Sequence, residues 1–292
     1  MSRDSPPGSN SGLETVGDEQ KNRSVEQTSD EERATGIVAE TSDESVEPTE
    51  FVDSVVETAL TNPVAAGDAI GDLLAIVRDC DEDARVAAEE ALDLMGLLRP
   101  VEFEVWIGDI VQFASADRDE LSFVGLRALA QLSAVRPAVA KNGLDAAISR
   151  LQAQHVPTRR AAIAVVGEVG EAFPEAVTQT DRQIMTAMRD ANSSVRLAGV
   201  MTAGKLLGAE PNQFPRTVST LPETLDDDDE EVWEYAHAAL IHFVREHPSQ
   251  VPEKRHVIER LATVSDEELG VREGATKDAM TTLLSYEPGF DL

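Results

Sequence analysis

A chain of 292 residues with 55 Asp and Glu, 25 Lys and Arg and a single cysteine carries a formal net charge of −30. That balance argues against general affinity for nucleic-acid phosphates or anionic membranes, and one cysteine excludes an internal disulfide framework and a Cys-cluster zinc site. Aromatic residues are only 4% of the chain, so a core centred on aromatic rings is not expected, and the length allows one to three domains.

From the N-terminus, the first ten residues hold Pro, Gly and Ser where a signal peptide would be apolar. No run approaches the length of a membrane span, so a soluble, cytoplasmic protein is expected. Residues 1–47 are expected to form a disordered acidic tail, because a segment rich in Ser, Thr, Glu and Asp, with no aromatic before Phe51, buries too little apolar area to offset its ordering entropy. The mildly apolar Ile37, Val38 and Ala39 read as a chance cluster. Residues 48–292 are expected to form one domain. It opens with Pro48 as a first helical residue and a capping helix from Phe51 to Leu60.

The rest of the chain repeats. Pro63, Pro100, Pro137, Pro174, Pro211 and Pro248 recur every 37 residues. Between them, an anchor pair recurs at the same interval: Ala84-Arg85, Leu121-Ser122, Thr158-Arg159, Val195-Arg196 and Val232-Trp233. Val271-Arg272 follows after 39, the two extra residues being assigned to the loop around 249–255. Counting from the first residue of each anchor, small or apolar residues fall at offsets 3, 4, 7, 8 and 11, as in Ala87, Ala88, Ala91, Leu92 and Met95. Before the anchor a second stripe falls at −14, −11, −10 and −7, as in Ile107, Ile110, Val111 and Ala114. Both are helical periodicities. Each unit is therefore predicted as helix, acidic turn, helix, and then a loop whose proline stops the second helix. The last unit has Asp278 at offset 7, which suits a solvent-facing terminal repeat.

The hairpin reading Asp-x4-Val-Arg-x-x-Ala-Ala-x-x-Ala-Leu, best matched at Asp79–Ala88 and Asp190–Gly199, resembles a HEAT repeat of the PBS-lyase type. The resemblance spans about residues 48–288 and implies an all-α solenoid of about six helical hairpins plus the N-terminal capping helix. It also implies a structural ladder of Asp79, Arg85, Arg159, Asp190, Arg196, Asp266 and Arg272 tying neighbouring turns together, each Arg forking to a carboxylate. Of the 25 basic residues, 20 are Arg and 5 are Lys, a balance that resembles proteins of salt-accumulating, haloarchaeal cytoplasm.

Other patterns read as structural. Asp79, Asp81, Asp83 and Glu90 follow calcium-loop spacing, but Ala84 stands where the loop's turn needs glycine. The six acids from Asp226 to Glu231 begin a helix, where carboxylates favour the dipole. The five histidines lack metal-ligand spacing, Cys80 lies beside acids that disfavour a thiolate, and no glycine-rich phosphate loop is present. No catalytic residue, metal or cofactor is expected. On the second helices, offsets 2 and 6 point away from the core. In the middle units they hold Phe123, Arg127, Arg160, Leu197 and Met201, an apolar patch with two arginines on an acidic chain. These residues are the expected partner-binding site on the inner face; sideways packing between neighbouring helices accounts for them equally well. The expected function is a non-enzymatic scaffold or adaptor for a protein partner. The alternatives are a bilin-lyase-like enzyme or enzyme subunit built on HEAT repeats, and a nucleic-acid-associated HEAT protein.

Overall fold

The computed structural model describes residues 46–286, so the acidic tail expected over 1–47 lies outside the described residues except for Val46 and Glu47. Among the described residues every regular element is helical. Glu47, at φ −58° and ψ 140°, leads into α1 (Pro48–Thr61), which buries Val52, Val55 and Ala59.

Six hairpins follow, each an interrupted first stretch and then a second helix. In the first, α2 (Pro63–Ala66) and α3 (Ile70–Asp79) precede α4 (Glu82–Leu98). The second joins a 3-10 stretch (Pro100–Trp106) and α5 (Ile107–Ala114) to α6 (Asp119–Ser133). The third joins α7 (Pro137–Ala140) and α8 (Leu144–Arg150) to α9 (Val156–Ala172). In the fourth, 3-10 turns and α10 (Asp181–Ala187) precede α11 (Ser193–Ala209), and in the fifth α12 (Pro215–Thr220) and a further 3-10 stretch (Leu221–Asp226) precede α13 (Glu230–Glu246). The sixth is α14 (Lys254–Leu261) and α15 (Ala275–Tyr286).

The recurring prolines shape every corner. The residue before each one, from Asn62 to His247, has φ between −134° and −155° and ψ between 51° and 79°. Its N–H still donates to the carbonyl four residues back, as Phe173 does to Val169 and His247 to Phe243. Proline disfavours α geometry in its predecessor, and at these six corners the long helix ends there. The proline then opens the next helical piece, where its missing N–H would have had no partner anyway. It is thus a start as well as a stop.

The second helices pack in chain order, α1 on α4 and then α6, α9, α11, α13 and α15, with the interrupted stretches forming the other layer. Both predicted stripes point into the space between the layers: Ile70, Leu73, Leu74 and Val77 face Ala88, Ala91, Leu92 and Met95, all buried. Offset 4 is Ala or Gly in every hairpin, and two glycines show why. A Cβ on Gly125 would lie 2.2 Å from the Ala114 amide nitrogen, and one on Gly199 would lie 2.7 Å from that of Met188. The two helices of these hairpins meet backbone to backbone.

One stripe position is polar. Asp181, at −14 in the fourth unit, is buried and accepts from the backbone N–H of Arg216 and Thr217 and from the Thr217 hydroxyl. It caps α12 of the next unit, which removes the cost of burying it.

The last hairpin is looser. Glu253, at φ 45°, precedes α14 in the segment where two extra residues were expected, and Gly270 and Gly274 adopt positive φ. Val271 therefore stands outside α15, whose first turn is missing, yet Thr276, Ala279 and Leu283 still turn inward.

Candidate functional site

The face of the second helices opposite the first stretches is set by residues four apart, which share one side of a helix. Offsets 2, 6 and 10 make three rows across α6, α9 and α11: Phe123, Arg160 and Leu197; Arg127, Ala164 and Met201; Gln131, Glu168 and Lys205. These residues line one groove of ≈ 640 Å³. All five sequence-predicted residues, Phe123, Arg127, Arg160, Leu197 and Met201, are in it. Phe123 and Leu197 also pack against the core, while Met201 is 41% exposed.

Charge in the groove is unevenly compensated. Arg127 pairs with Asp93 of α4 at 2.5 Å, and its guanidinium lies 5.7 Å from the centroid of the Phe123 ring. Phe123 in turn meets His155 edge-on. Lys205 lies 2.5 Å from Glu168 and 3.3 Å from Glu171. Arg160 is exposed and has no hydrogen bond or ion pair among the described residues. Asp93 is held up at about 6: burial raises its pKa most, Glu89 and Glu90 add to the rise, and Arg127 offsets only part of it.

The groove continues beyond the expected patch. A second hollow of ≈ 440 Å³ shares Met201 and Lys205 and extends to Tyr235 and His242 of α13, with Tyr235 47% exposed. Sequence reasoning missed Lys205, Gln131 and Tyr235. The first two follow from carrying the same four-residue step one turn further.

The expected ladder forms only in the middle. Arg159 forks to Asp190, with its Nε 3.1 Å and Nη2 3.3 Å from the carboxylate, and also donates to the Ala153 carbonyl. Arg196 forks to Asp227 at 2.8 Å on both arms and reaches Asp228 at 3.0 Å. Burial alone would raise the Asp227 pKa; the Arg196 fork and the Asp229 N–H outweigh it and hold the carboxyl below its usual range. Each rung joins the Arg of one unit to the Asp of the next. The other expected members therefore fall elsewhere. Arg85 has Ala116 at the matching position and pairs with Glu89 of its own helix instead, while Asp79 pairs with Arg78. Trp233 replaces the Arg that would reach Asp266, and its ring lies 4.5 Å from that of His237. Asp266 accepts from Gly274, from the Thr276 N–H and from the Thr276 hydroxyl. Arg272 pairs with the exposed Asp278.

Four of the six acids in the run, Asp226 to Asp229, are tied down. Asp226 meets Arg260 and His256, Asp227 and Asp228 meet Arg196, and Asp229 accepts from the Val232 N–H to cap α13. Asp81, within the calcium-like spacing, caps α4 through the Ala84 N–H. No described helix is long and apolar enough to cross a membrane.

A family profile described as non-SMC mitotic condensation complex subunit 1 (Cnd1) matches residues 158–290, less than half of the chain. No curated protein matches the sequence. Among solved structures, an engineered protein is 16% identical at a TM-score of 0.61, covering 83% of this chain and 66% of its own. Yeast importin-β (Kap95p) is 14% identical at a TM-score of 0.52; the match covers 82% of this chain and 33% of Kap95p. Computationally designed armadillo repeat proteins for modular peptide recognition are 15% identical at a TM-score of 0.50, covering 81% of this chain and 99% of theirs. At these identities the likeness is one of fold.

Proposed function

We propose that the chain, a HEAT-repeat solenoid, is a non-enzymatic scaffold or adaptor that binds a protein partner across the groove of α6, α9 and α11. The observation that carries this reading is the clustering of Phe123, Arg127, Arg160, Leu197 and Met201 around one hollow, on a chain of net charge −30. Exposed apolar surface framed by arginine is the composition of an interface core and its rim. Solenoids of this kind expose long surfaces suited to such contacts, and binding of Kap95p, which is similar in fold, induces the switch loops of RanGDP to adopt the GTP-bound conformation. The acids spread over the rest of the surface fit adaptation to a salt-rich interior, where self-repulsion is screened.

The test is affinity capture in molar KCl with the intact chain. The wild type is expected to retain a specific protein, and Phe123→Asp combined with Met201→Asp to lose it while circular dichroism stays helical. Unchanged retention by the double variant refutes the assignment of this face.

A further inference from the structure

We infer that the partner presents an extended acidic segment, with a carboxylate seated on Arg160 and an aliphatic or aromatic side chain on Leu197 and Met201. The inference rests on the reading of this groove as a protein-binding face and specifies what it recognises.

Charge complementarity carries it. The groove is lined by Arg127, Arg160, Lys205 and Glu168, with Asp93 and Glu171 at its edge, so the charge in it left without an ion pair among the described residues is the positive one of Arg160, on a chain that as a whole is at −30. Arg127 and Lys205 are engaged by Asp93, Glu168 and Glu171. Arg160 is exposed without such a partner among the described residues, and it stands on the middle helix, α9, between Phe123 and Leu197 in the first row. A guanidinium offers a planar fork that matches a carboxylate with two parallel hydrogen bonds. A basic segment would meet the unopposed charge of Arg160 and find Asp93, Glu168 and Glu171 already held by Arg127 and Lys205.

Spacing favours an extended chain. Packed helices lie about 8–10 Å apart, and an extended chain in polyproline II form advances about 3.1 Å per residue and returns a side chain to the same face every third residue. Side chains three residues apart therefore fall over successive helices: an acid over α9 and an apolar residue over α11, with Tyr235 of α13 one step beyond. Contact in molar salt is compatible with this chemistry. Screening acts over about 3 Å at 1 M, which a hydrogen-bonded ion pair survives in part, and the apolar anchor does not depend on charge.

The test uses the full chain and dye-labelled dodecapeptides carrying Asp-Ser-Ser-Leu, Ser-Ser-Ser-Leu or Lys-Ser-Ser-Leu repeats, read by fluorescence anisotropy over a KCl series. The Asp peptide is expected to bind best, to weaken as salt rises, and to lose roughly 10-fold in affinity with Arg160→Ala, the size of one lost charge-assisted pair. Arg160 is exposed, so this variant is expected to fold. Equal or better binding of the Ser or Lys peptides, no binding of any peptide, or an Arg160→Ala affinity equal to wild type overturns the inference. Failure here with partner capture still abolished by the Phe123→Asp and Met201→Asp pair leaves the protein-binding reading standing and removes only the acidic chemistry. Unchanged capture by that pair removes the reading itself.

Discussion

Asp93 lies on α4 beside the groove, with Arg127 reaching it from α6 and Glu89 and Glu90 on its own helix. Its carboxyl is raised from 3.8 to about 6, chiefly by burial, so the folded chain holds this proton more tightly than the unfolded chain does. Stability linked to Asp93 is therefore greatest below pH 3.8 and falls as pH rises toward 6, then stays level. Measured by urea denaturation across that window, the wild type is expected to lose ground steadily to Asp93→Asn, with a constant difference above pH 6. A difference that does not vary with pH would show that Asp93 ionises as it does in water. At this scale the sequence was partly legible. The groove residues were found because a helical step of four projects onto one face whatever the tertiary detail. The ladder was over-read at its ends: Asp79 and Arg85 occupy the right repeat positions, but a rung needs the carboxylate in the following unit, where Ala116 stands. Lys205 was passed over because the projection stopped one turn short.

Backbone contact inside the hairpins makes the elements sensitive to single methyl groups. Gly125→Ala would place a carbon 2.2 Å from the Ala114 nitrogen, and main chain cannot swing aside as a side-chain end can. Overpacking of this kind costs about 1–3 kcal/mol, more than the helix-propensity gain of up to about 1 kcal/mol. The denaturation midpoint is expected to fall. Gly108→Ala in α5, with open space around the added carbon, is expected to leave the midpoint unchanged or raise it, and equal effects of the two would refute close packing at Gly125. The 37-residue period, the hairpins and the small residue at offset 4 were all readable, because core geometry repeats and forces the residues to repeat with it. The broken form of the first helices was not readable. Apolar stripes at these spacings suit a continuous α-helix as well as short α and 3-10 pieces, and the choice rests on packing against neighbours. The missing first turn of α15 was likewise hidden, since Val271-Arg272 keeps the anchor pattern.

For the whole molecule, the net charge of −30 makes stability depend on solvent ions. Lowering the Debye length from about 10 Å to about 3 Å, between about 0.1 M and about 1 M salt, removes most repulsion between surface carboxylates. The thermal unfolding midpoint is expected to climb over that range of KCl, and a flat response would refute salt adaptation. The two layers also differ in mechanical character. Second helices such as α4, α9, α11 and α13 run 17 residues without a break, whereas the stretches of the opposite layer are broken up by 3-10 turns. The continuous hydrogen-bond ladders act as stiff staves, and the segmented layer, with its less favourable 3-10 bonds, supplies the joints. A load that spreads or closes the staves is taken up first at those joints, so the spacing of α6, α9 and α11 can adjust to an occupant while each helix keeps its own form.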